Sequence, residues 1–593
     1  MTSLGWKDAS LGLAILIALG GASARAADAP RTVVGSASCR SCHEEFYKLW
    51  STSHHGLAMQ PYTEEFARKK LQPQPKEIKI GAHHYRADIE AGQGVVRERG
   101  PDGSKNYPML HVMGGKNVYY FLTPLERGKL QVLPVAYDVR RKQWIDTTAS
   151  ALRHFSDRRE EALHWRDRPL TFNTSCFACH VSQLVKNYDL KTDTYQTVWA
   201  EPGINCETCH GPASEHVRLF TNLPKGAPPP KDIKLRVFRN FTTEQRNAAC
   251  APCHAKMHPI TDSFQPSDRF FDHYGLAALE HPDFYPDGRD LGENYTYTGW
   301  RMSPCAKSGR LDCTHCHTSS GRNRFEGAKA NNACLPCHEK HVNNPTAHSH
   351  HAAGSEGNKC VACHMPMTMF ARMARSDHSM LPPTPAATTK LNSPNACNLC
   401  HADKDAAWAD RMVRQWYPRD YQAPLLHRAG LIDAARKRDW KKLPEMLAYI
   451  THPQRDEIFA TSLIRLIESC DDPAKWPALR QAMNDPSPLV RSAAVTALGA
   501  DLTPENRAVL LAATDDDYRL VRVQAAYALA PVPRDSLDAA TRAKLERAAA
   551  EFEASLQARP DDHYAHYNMG NYLLSRGKVE EAVAEYETAI KLE

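Results

Sequence analysis

The chain has 593 residues, of which 24% are charged and 42% are hydrophobic, with a formal net charge of +6. These proportions fit an ordinary soluble globular protein, and the length predicts about four domains at roughly 150 residues each. No block of Lys and Arg residues stands out, which argues against nucleic acid as a partner.

The first 26 residues have the pattern of a secretory signal peptide. Lys7 precedes an apolar run at 11–19, and the small-residue site Ala24-Arg25-Ala26 follows, so we expect cleavage after Ala26. The apolar run is too short to span a membrane, and no later stretch reaches about 18 uninterrupted apolar residues. We therefore expect an exported protein, periplasmic or extracellular, with no transmembrane segment once the signal is removed.

From residue 27 to about residue 405, the pentapeptide Cys-x-x-Cys-His occurs eight times and uses 16 of the 18 cysteines. Two thiols three residues apart lie on one side of a helical turn, so both can form thioethers to one porphyrin, and the adjacent His can bind its iron. One copy would also fit a zinc half-site or a redox cysteine pair, but eight copies indicate c-type haem attachment. In chain order the motifs are Cys39-Cys42-His43, Cys176-Cys179-His180, Cys206-Cys209-His210, Cys250-Cys253-His254, Cys313-Cys316-His317, Cys334-Cys337-His338, Cys360-Cys363-His364 and Cys397-Cys400-His401.

The sequence therefore predicts eight covalently attached c-type haems, with the motif cysteines as attachment points and the motif histidines as proximal iron ligands. In an exported chain, so many cysteines would normally predict disulfides, but haem attachment consumes these thiols. The two cysteines left over, Cys305 and Cys470, fall in different predicted domains, and we expect them to be free thiols.

A long insert separates the first motif from the second. Its segments 107–112, 117–122 and 130–137 are rich in Val, Tyr, Phe and Leu and are punctuated by glycines, which predicts a small antiparallel sheet within about 78–150. We expect a structural role for this sheet, as cover for a haem face. A role in shaping a pocket is the alternative.

From about residue 406 the composition changes to Ala, Leu, Arg and Glu with helical spacing. The sequence Leu-Val-Arg at 489–491 recurs at 520–522, and the apolar residues that follow it recur at the same offset. This pattern resembles HEAT-type helical pairs, and we assign such repeats to 406–535. We expect a boundary near residue 405, with a haem-binding part that stays soluble and haem-loaded when separated.

A second repeat occupies 536–593. Ala548 and Phe552 correspond to Ala582 and Tyr586, and the positions around Met569 match the tetratricopeptide pattern. The chain stops one residue before the expected closing proline, so we expect an array that is either cut short or completed by a partner. Solenoids present extended binding surfaces, and we expect the helical repeats to dock redox partner proteins.

Each haem iron has room for a second axial ligand. The chain has 29 histidines, enough for every haem to receive a distal imidazole. Bis-His ligation closes the iron to substrate and suits electron transfer, whereas an open position suits catalysis. Met365, Met367 and Met369 fit a haem wall better than iron ligation. The best distal candidates are His55, His216, His348, His351 and His378. His350 is an alternative to His348 and His351.

These residues also carry a family resemblance. The segments 39–59 and 206–216, and the close pair of motifs at Cys176 and Cys206, resemble the multihaem cytochrome c superfamily. That superfamily includes a tetrahaem electron carrier, hydroxylamine oxidoreductase and octahaem reductases. The tract 360–401 resembles haem–tetratricopeptide fusion proteins. The resemblance implies closely packed, mostly bis-His haems and does not fix one activity.

The expected fold class is mainly α: an irregular multihaem cytochrome c domain at 27–405 with a small β insert, followed by an α-solenoid. For function, we favour an electron-transfer relay. The alternative is an oxidoreductase acting on nitrite, hydroxylamine or tetrathionate at one open haem, with proton donors among Tyr119, Tyr120, His111, His154 and His164. No motif ends in Lys, so the usual signature of ammonia-forming nitrite reductases is missing. A scaffold or filament subunit ranks third.

Overall fold

The computed structural model describes residues 31–90, 92–153, 160–293 and 295–593. The predicted signal peptide lies outside these residues. Within them the chain is mainly helical with several small sheets, and a helical repeat region forms the C-terminal part. None of the described helices combines the length and the apolar character that a bilayer crossing needs.

The first part of the chain contains the predicted β insert. Its strands form two antiparallel sheets, one with a central strand at 118–124 and one built from four consecutive strands. The elements are α1 (Glu44–Ser51), β1 (Met59–Pro61), α2 (Glu64–Lys70), β2 (Ile78–Ile80), β3 (His83–Asp88), β4 (Val95–Gly100), β5 (Gly103–Pro108), β6 (His111–Gly114), β7 (Val118–Pro124), β8 (Leu130–Val132), β9 (Val135–Asp138) and β10 (Gln143–Asp146).

The larger sheet has the order β1-β6-β7-β9-β10, with β8 beside β7, and the smaller one the order β2-β3-β4-β5. The segment predicted as one strand at 130–137 is divided into β8 and β9, because Pro134 cannot donate a ladder hydrogen bond. Likewise, the segment at 107–112 is divided after Pro108. Phe121 and Tyr137 are buried between the sheets and belong to a hydrophobic core separate from that of the C-terminal helices.

The middle of the chain consists of short elements around the haem motifs. Several motif helices begin at a polar cap: the Asn205 side chain accepts from the Thr208 amide at 2.9 Å, and Asp312 from the Thr314 amide at 2.8 Å. The elements are α3 (Phe177–His180), β11 (Val181–Ser182), β12 (Tyr188–Asp189), β13 (Thr194–Tyr195), β14 (Glu201–Pro202), α4 (Cys206–His210), α5 (Ser214–Thr221), α6 (Thr243–His254), β15 (Met257–Pro259), β16 (Tyr274–Leu276), α7 (Thr296–Met302), α8 (Pro304–Lys307), α9 (Cys313–Cys316), α10 (Glu339–Asn343), α11 (Pro345–Ser349), α12 (Cys360–His364), β17 (Met367–Phe370), β18 (Met373–Ser376) and α13 (Pro385–Leu391).

The C-terminal part is a solenoid of packed helices. Repeat-related arginines make the same contact one repeat apart: Arg491 donates to the Asp485 carbonyl at 2.7 Å and Arg522 to the Asp516 carbonyl at 2.8 Å. The helices are α14 (Ala406–Trp416), α15 (Ala423–Arg436), α16 (Leu443–Ile450), α17 (Glu457–Ile467), α18 (Lys475–Ala482), α19 (Pro488–Leu498), α20 (Pro504–Ala513), α21 (Arg519–Ala528), α22 (Ala539–Gln557), α23 (His563–Ser575) and α24 (Val579–Leu592).

The solenoid and the segment 248–302 of the haem-motif part share one hydrophobic core. Phe270, Leu276 and Leu279 are at most 1% exposed and belong to the same cluster as Phe459 and Leu463 of α17. The boundary near residue 405 is therefore a change in sequence pattern and not an edge of the core. The expectation of an independently soluble haem-binding part does not fit this packing.

Polar contacts cross the same interface. The Leu279 amide donates to the Ser462 hydroxyl at 2.8 Å, and the Arg436 guanidinium donates to the Phe284 carbonyl at 2.8 Å. Arg301 and Glu457 form an ion pair at 2.7 Å, with 16% and 19% of their side chains exposed. These half-buried contacts fix the angle at which the solenoid packs on the haem-motif part.

Candidate haem-binding sites

All 18 cysteines lie in the described residues and none forms a disulfide. In the haem-loaded protein the motif sulfurs would be thioethers, so the Sγ atoms described here stand in for thioether sulfurs. Within the part of the chain that the structure describes, no group of three or more His, Cys, Asp or Glu side chains is arranged to hold a single metal ion. Cys305 is half-buried and Cys470 is buried.

Five of the motif histidines face a second imidazole. The ring centroids are between 6.1 and 6.4 Å apart in all five pairs. An iron held between two imidazoles separates the ring centres by roughly 6 Å, because each metal–nitrogen bond is about 2 Å and each nitrogen lies about 1 Å from its ring centre. The pairs are His43 with His216 (6.4 Å), His254 with His55 (6.3 Å), His317 with His378 (6.4 Å), His364 with His348 (6.1 Å) and His401 with His351 (6.1 Å).

The second members of these pairs are the five residues that the sequence offers as distal candidates. The structure brings each of them to a motif histidine at a spacing that fits a haem iron. His55 follows the first motif in the chain but faces His254 of the fourth, and His351 precedes the seventh motif but faces His401 of the eighth. The residues present therefore fit the group, and iron ligation by them stays a prediction.

Backbone carbonyls orient the distal rings. The Nδ1 atoms of His55, His216 and His378 donate to the carbonyls of Ser319, Ile233 and Ser376 at 3.1, 2.7 and 2.9 Å. A proton fixed on Nδ1 leaves the lone pair on Nε2, which is the tautomer that an iron needs.

Burial keeps several of these imidazoles neutral. It lowers the pKa of His254 and of His348 to about 4, and it lowers the pKa of His55, His317 and His378 below the ordinary value. A protonated imidazole has no lone pair for a metal. The pockets therefore hold the rings in the form that binds iron across the neutral pH range.

Thiols of different motifs contact one another directly. Hydrogen-bonding contacts join the first motif to the third, the second to the fourth, the fourth to the fifth and the sixth to the seventh. The four contacts are Cys39 with Cys206, Cys179 with Cys253, Cys250 with Cys313 and Cys334 with Cys360.

Closely spaced thiols connect the remaining motifs. Burial, together with a smaller contribution from Cys250 of the fourth motif, raises the pKa of Cys209 in the third motif to about 12. Burial raises the pKa of Cys363 in the seventh motif to about 11, with a further contribution from Cys397 of the eighth. In the same way, Cys316 of the fifth motif acts on Cys334 of the sixth. These interactions thus arrange the motifs in one spatial series: first, third, fourth, fifth, sixth, seventh and eighth. The second motif lies beside the fourth.

A buried carboxylate fixes the first of these contacts. Glu207 lies inside the third motif, is 3% exposed, and accepts from the amides of Gly35 and Ala213, both at 2.8 Å. It also accepts from the Val34 amide at 3.0 Å. The segment that leads into the first motif is thereby tied to the third, which sequence reasoning did not foresee.

Three motif histidines have different surroundings. Among the described residues, no second imidazole ring lies at the pair spacing from His180, His210 or His338. His180 donates from Nδ1 to the Ala58 carbonyl at 2.6 Å, and His210 to the Arg236 carbonyl at 2.9 Å.

The proton donors proposed for an open haem are scattered. Tyr119 packs edge-on to Phe66 in the sheet core, and His164 is exposed. His111 packs against Trp199 at 5.4 Å. His154 lies outside the described residues. Tyr120 packs beside Cys176 of the second motif.

Comparison with known proteins agrees with both parts of the chain. A family described as cytochrome c554 and c-prime matches residues 38–96 and 139–211, and HEAT repeats match residues 443–530. No curated protein matches. A crystal structure of the outer cell wall cytochrome OcwA is similar at 14% identity and a TM-score of 0.44, with 78% of this chain and 99% of that chain covered.

The cytochrome match includes the first three haem motifs, and the HEAT match includes the repeated arginines Arg491 and Arg522. The chain is therefore similar to c-type cytochromes, which carry covalently bound haem, in its N-terminal part, and it contains HEAT repeats in its C-terminal part.

Proposed function

We propose that this cytochrome is an exported octahaem electron-transfer relay whose helical repeats dock a redox partner. The observation that carries the proposal is the series of thiol interactions that links all eight motifs. Four of these thiol pairs form hydrogen bonds, and the other links are electrostatic. Haems attached to neighbouring sulfurs are themselves neighbours, so an electron that enters at one end has a short path to the other.

The paired imidazoles support this role. Haem supplies one-electron redox chemistry when bound, and its potential depends on its axial ligands and on burial. Two imidazoles in a fixed geometry need little movement when an electron arrives or leaves, and backbone carbonyls hold Nδ1 of the distal rings of His55, His216 and His378. The five pairs therefore suit transfer better than substrate binding.

Export and docking rest on other features. The signal-peptide pattern at 1–26 supports an extracytoplasmic location, where c-type haems are attached. For docking, α23 and α24 form the last helical pair, which matches the tetratricopeptide pattern. Tyr564 and Ile590 on this pair are 65% and 76% exposed. Large apolar side chains at the surface of a repeat array favour a protein partner.

The haem count tests the relay. Pyridine haemochrome absorbance against protein mass should give eight haems per mature chain. Replacing Cys397 and Cys400 by Ser should give seven, because both thioethers of one site are lost. The matched control, Cys305→Ser with Cys470→Ser, changes the two cysteines outside the motifs and should leave eight. Seven or fewer haems in the fully matured unaltered protein would contradict the octahaem assignment.

A further inference from the structure

One distal ring is oriented by a side chain of the solenoid. The Nδ1 atom of His351 lies 2.6 Å from the Ser349 carbonyl, so four of the five distal candidates have a backbone carbonyl at this atom. The fifth candidate, His348, has its Nδ1 atom 3.1 Å from the hydroxyl oxygen of Tyr417. A phenol therefore takes the place that a carbonyl has at the other four rings.

The same hydroxyl contacts the backbone of the residue that it orients. Tyr417 donates its hydroxyl proton to the carbonyl of His348. A phenol has one proton to donate, and its oxygen can accept at the same time. Since a carbonyl can only accept, the phenol proton goes to it, and the Nδ1–H group of His348 donates to the phenol oxygen. The Nε2 atom then keeps its lone pair, which is the form that an iron needs.

The His348 ring is also fixed by packing. It faces His364 of the seventh motif at 6.1 Å, and the two ring planes differ by 9°, against 21° to 54° in the other four pairs. Tyr417 packs edge-on against the His348 ring at 5.8 Å, and His341 packs against it at 4.4 Å. The hydrogen bonds to Tyr417 thus act on a ring that has little freedom to turn.

Two aromatic residues at the end of α14 contact the segment 348–351. Tyr417 directly follows this helix, and its amide donates to the Val413 carbonyl at 2.9 Å. The residue before it, Trp416, stacks on His350 with ring centres 4.6 Å apart and planes 13° apart. The first helix of the solenoid therefore supports the segment that carries two of the distal candidates.

We propose that Tyr417 is a positioning residue for the haem of the seventh motif: its hydroxyl holds His348 in the iron-binding tautomer and sets the reduction potential of that haem. The proposal rests on the relay function and on iron ligation by His348 and His364. It gives the solenoid a second role beside docking, because its first helix then adjusts one member of the relay.

The direction of the effect follows from ligand basicity. An acceptor on the Nδ1–H group makes an imidazole a more basic metal ligand. A more basic ligand favours ferric over ferrous iron, so removal of the acceptor should raise the potential. A hydrogen bond of this kind changes an equilibrium constant by roughly threefold to tenfold, and tenfold corresponds to about 59 mV for one electron.

The test compares two Tyr-to-Phe variants of the full-length, haem-loaded protein by potentiometric titration followed with EPR. In Tyr417→Phe, one low-spin haem should have a higher potential, by roughly threefold to tenfold in its equilibrium constant, and the other seven should not change.

The matched control is Tyr421→Phe. The Tyr421 ring packs edge-on against Tyr417 at 5.9 Å, but its hydroxyl donates to the Pro383 carbonyl at 2.7 Å. This variant removes a hydroxyl from the same aromatic cluster without changing the partner of His348, and it should leave all eight potentials unchanged. Unchanged potentials in Tyr417→Phe, or the same shift in both variants, would overturn the proposal.

A second set of variants identifies the haem that responds. Replacing Cys360 and Cys363 by Ser removes the seventh haem, and adding Tyr417→Phe to that protein should shift none of the remaining seven potentials. His348→Met should raise the potential of the same haem that responds to Tyr417→Phe, because a thioether replaces an imidazole. A shift that survives removal of the seventh haem, or a His348→Met variant that acts on a different haem, contradicts the proposal.

Failure of this inference is distinguishable from failure of the relay. Eight haems that exchange electrons rapidly and do not respond to Tyr417→Phe form a relay in which Tyr417 has no part. A protein with fewer than eight haems, one of which responds to Tyr417→Phe, keeps the role of Tyr417 and loses the octahaem relay.

Discussion

Ending the chain at residue 405 should produce an insoluble and haem-poor protein. The deletion removes the solenoid side of the shared core and exposes Phe270, Phe271 and Leu279, which are at most 3% exposed in the whole chain. Each large apolar side chain that is buried contributes about 1.5–3 kcal/mol, so several of them exceed the margin of a typical domain. Expression yield, size-exclusion profile and haem per protein mass measure the effect.

A shorter deletion is the matched control. Ending the chain at residue 562 removes only α23 and α24 and keeps Asp561, whose carboxylate binds Lys186 at 2.8 Å and accepts from the Tyr195 hydroxyl at 3.1 Å. This variant should stay soluble with its full haem content. A 405-residue chain that is soluble, monomeric and fully loaded with haem would show that the shared core is dispensable.

Removing the fifth motif should divide the relay. Cys313→Ser with Cys316→Ser deletes the link between the first four motifs and the last three, because Cys313 hydrogen-bonds with Cys250 and Cys316 interacts electrostatically with Cys334. In protein-film voltammetry the charge exchanged at fast scan rates should fall by roughly half, since only the haems on one side of the gap stay in rapid contact with the electrode. It should also destabilise the protein, since a large cavity replaces a bound group.

The control removes a terminal motif. Cys397→Ser with Cys400→Ser deletes the eighth motif, which has a neighbour on one side only. Both double variants lose one haem, but this one should keep the remaining haems in rapid exchange. If the two variants show the same fast charge, the order of the motifs inferred from the thiol contacts is wrong.

The local chemistry of the haem sites could be predicted from sequence, because it depends on residues a few positions apart. The spacing of each Cys-x-x-Cys-His motif defines an attachment site without knowledge of the fold. The candidate distal ligand His348 lies shortly before the seventh motif in the chain, and the structure places its ring 6.1 Å from that of His364 in the same motif. The repeat of Arg491 at Arg522 likewise predicts helical pairs, and HEAT repeats match there.

The long-range contacts could not be predicted in this way. Nothing in the sequence near His55 shows that it faces the fourth motif, since His254 lies far along the chain and only the tertiary fold brings the two rings together. Glu207 reads as an ordinary polar residue between two cysteines until its three amide partners are seen. The shared core at 248–302 was missed because its apolar residues are spread over short irregular elements without helical or strand periodicity.

The relay depends most on the five haem irons that we expect to be closed by paired imidazoles, and haems of this kind can be counted. Low-temperature EPR with near-infrared magnetic circular dichroism of the oxidised full-length protein should show at least five low-spin bis-imidazole haems per chain. In His216→Met, one of them should become a histidine–methionine haem of higher potential while the total haem content stays the same. Fewer than five bis-imidazole haems, or spectra and potentials that do not change in His216→Met, would contradict the imidazole pairing.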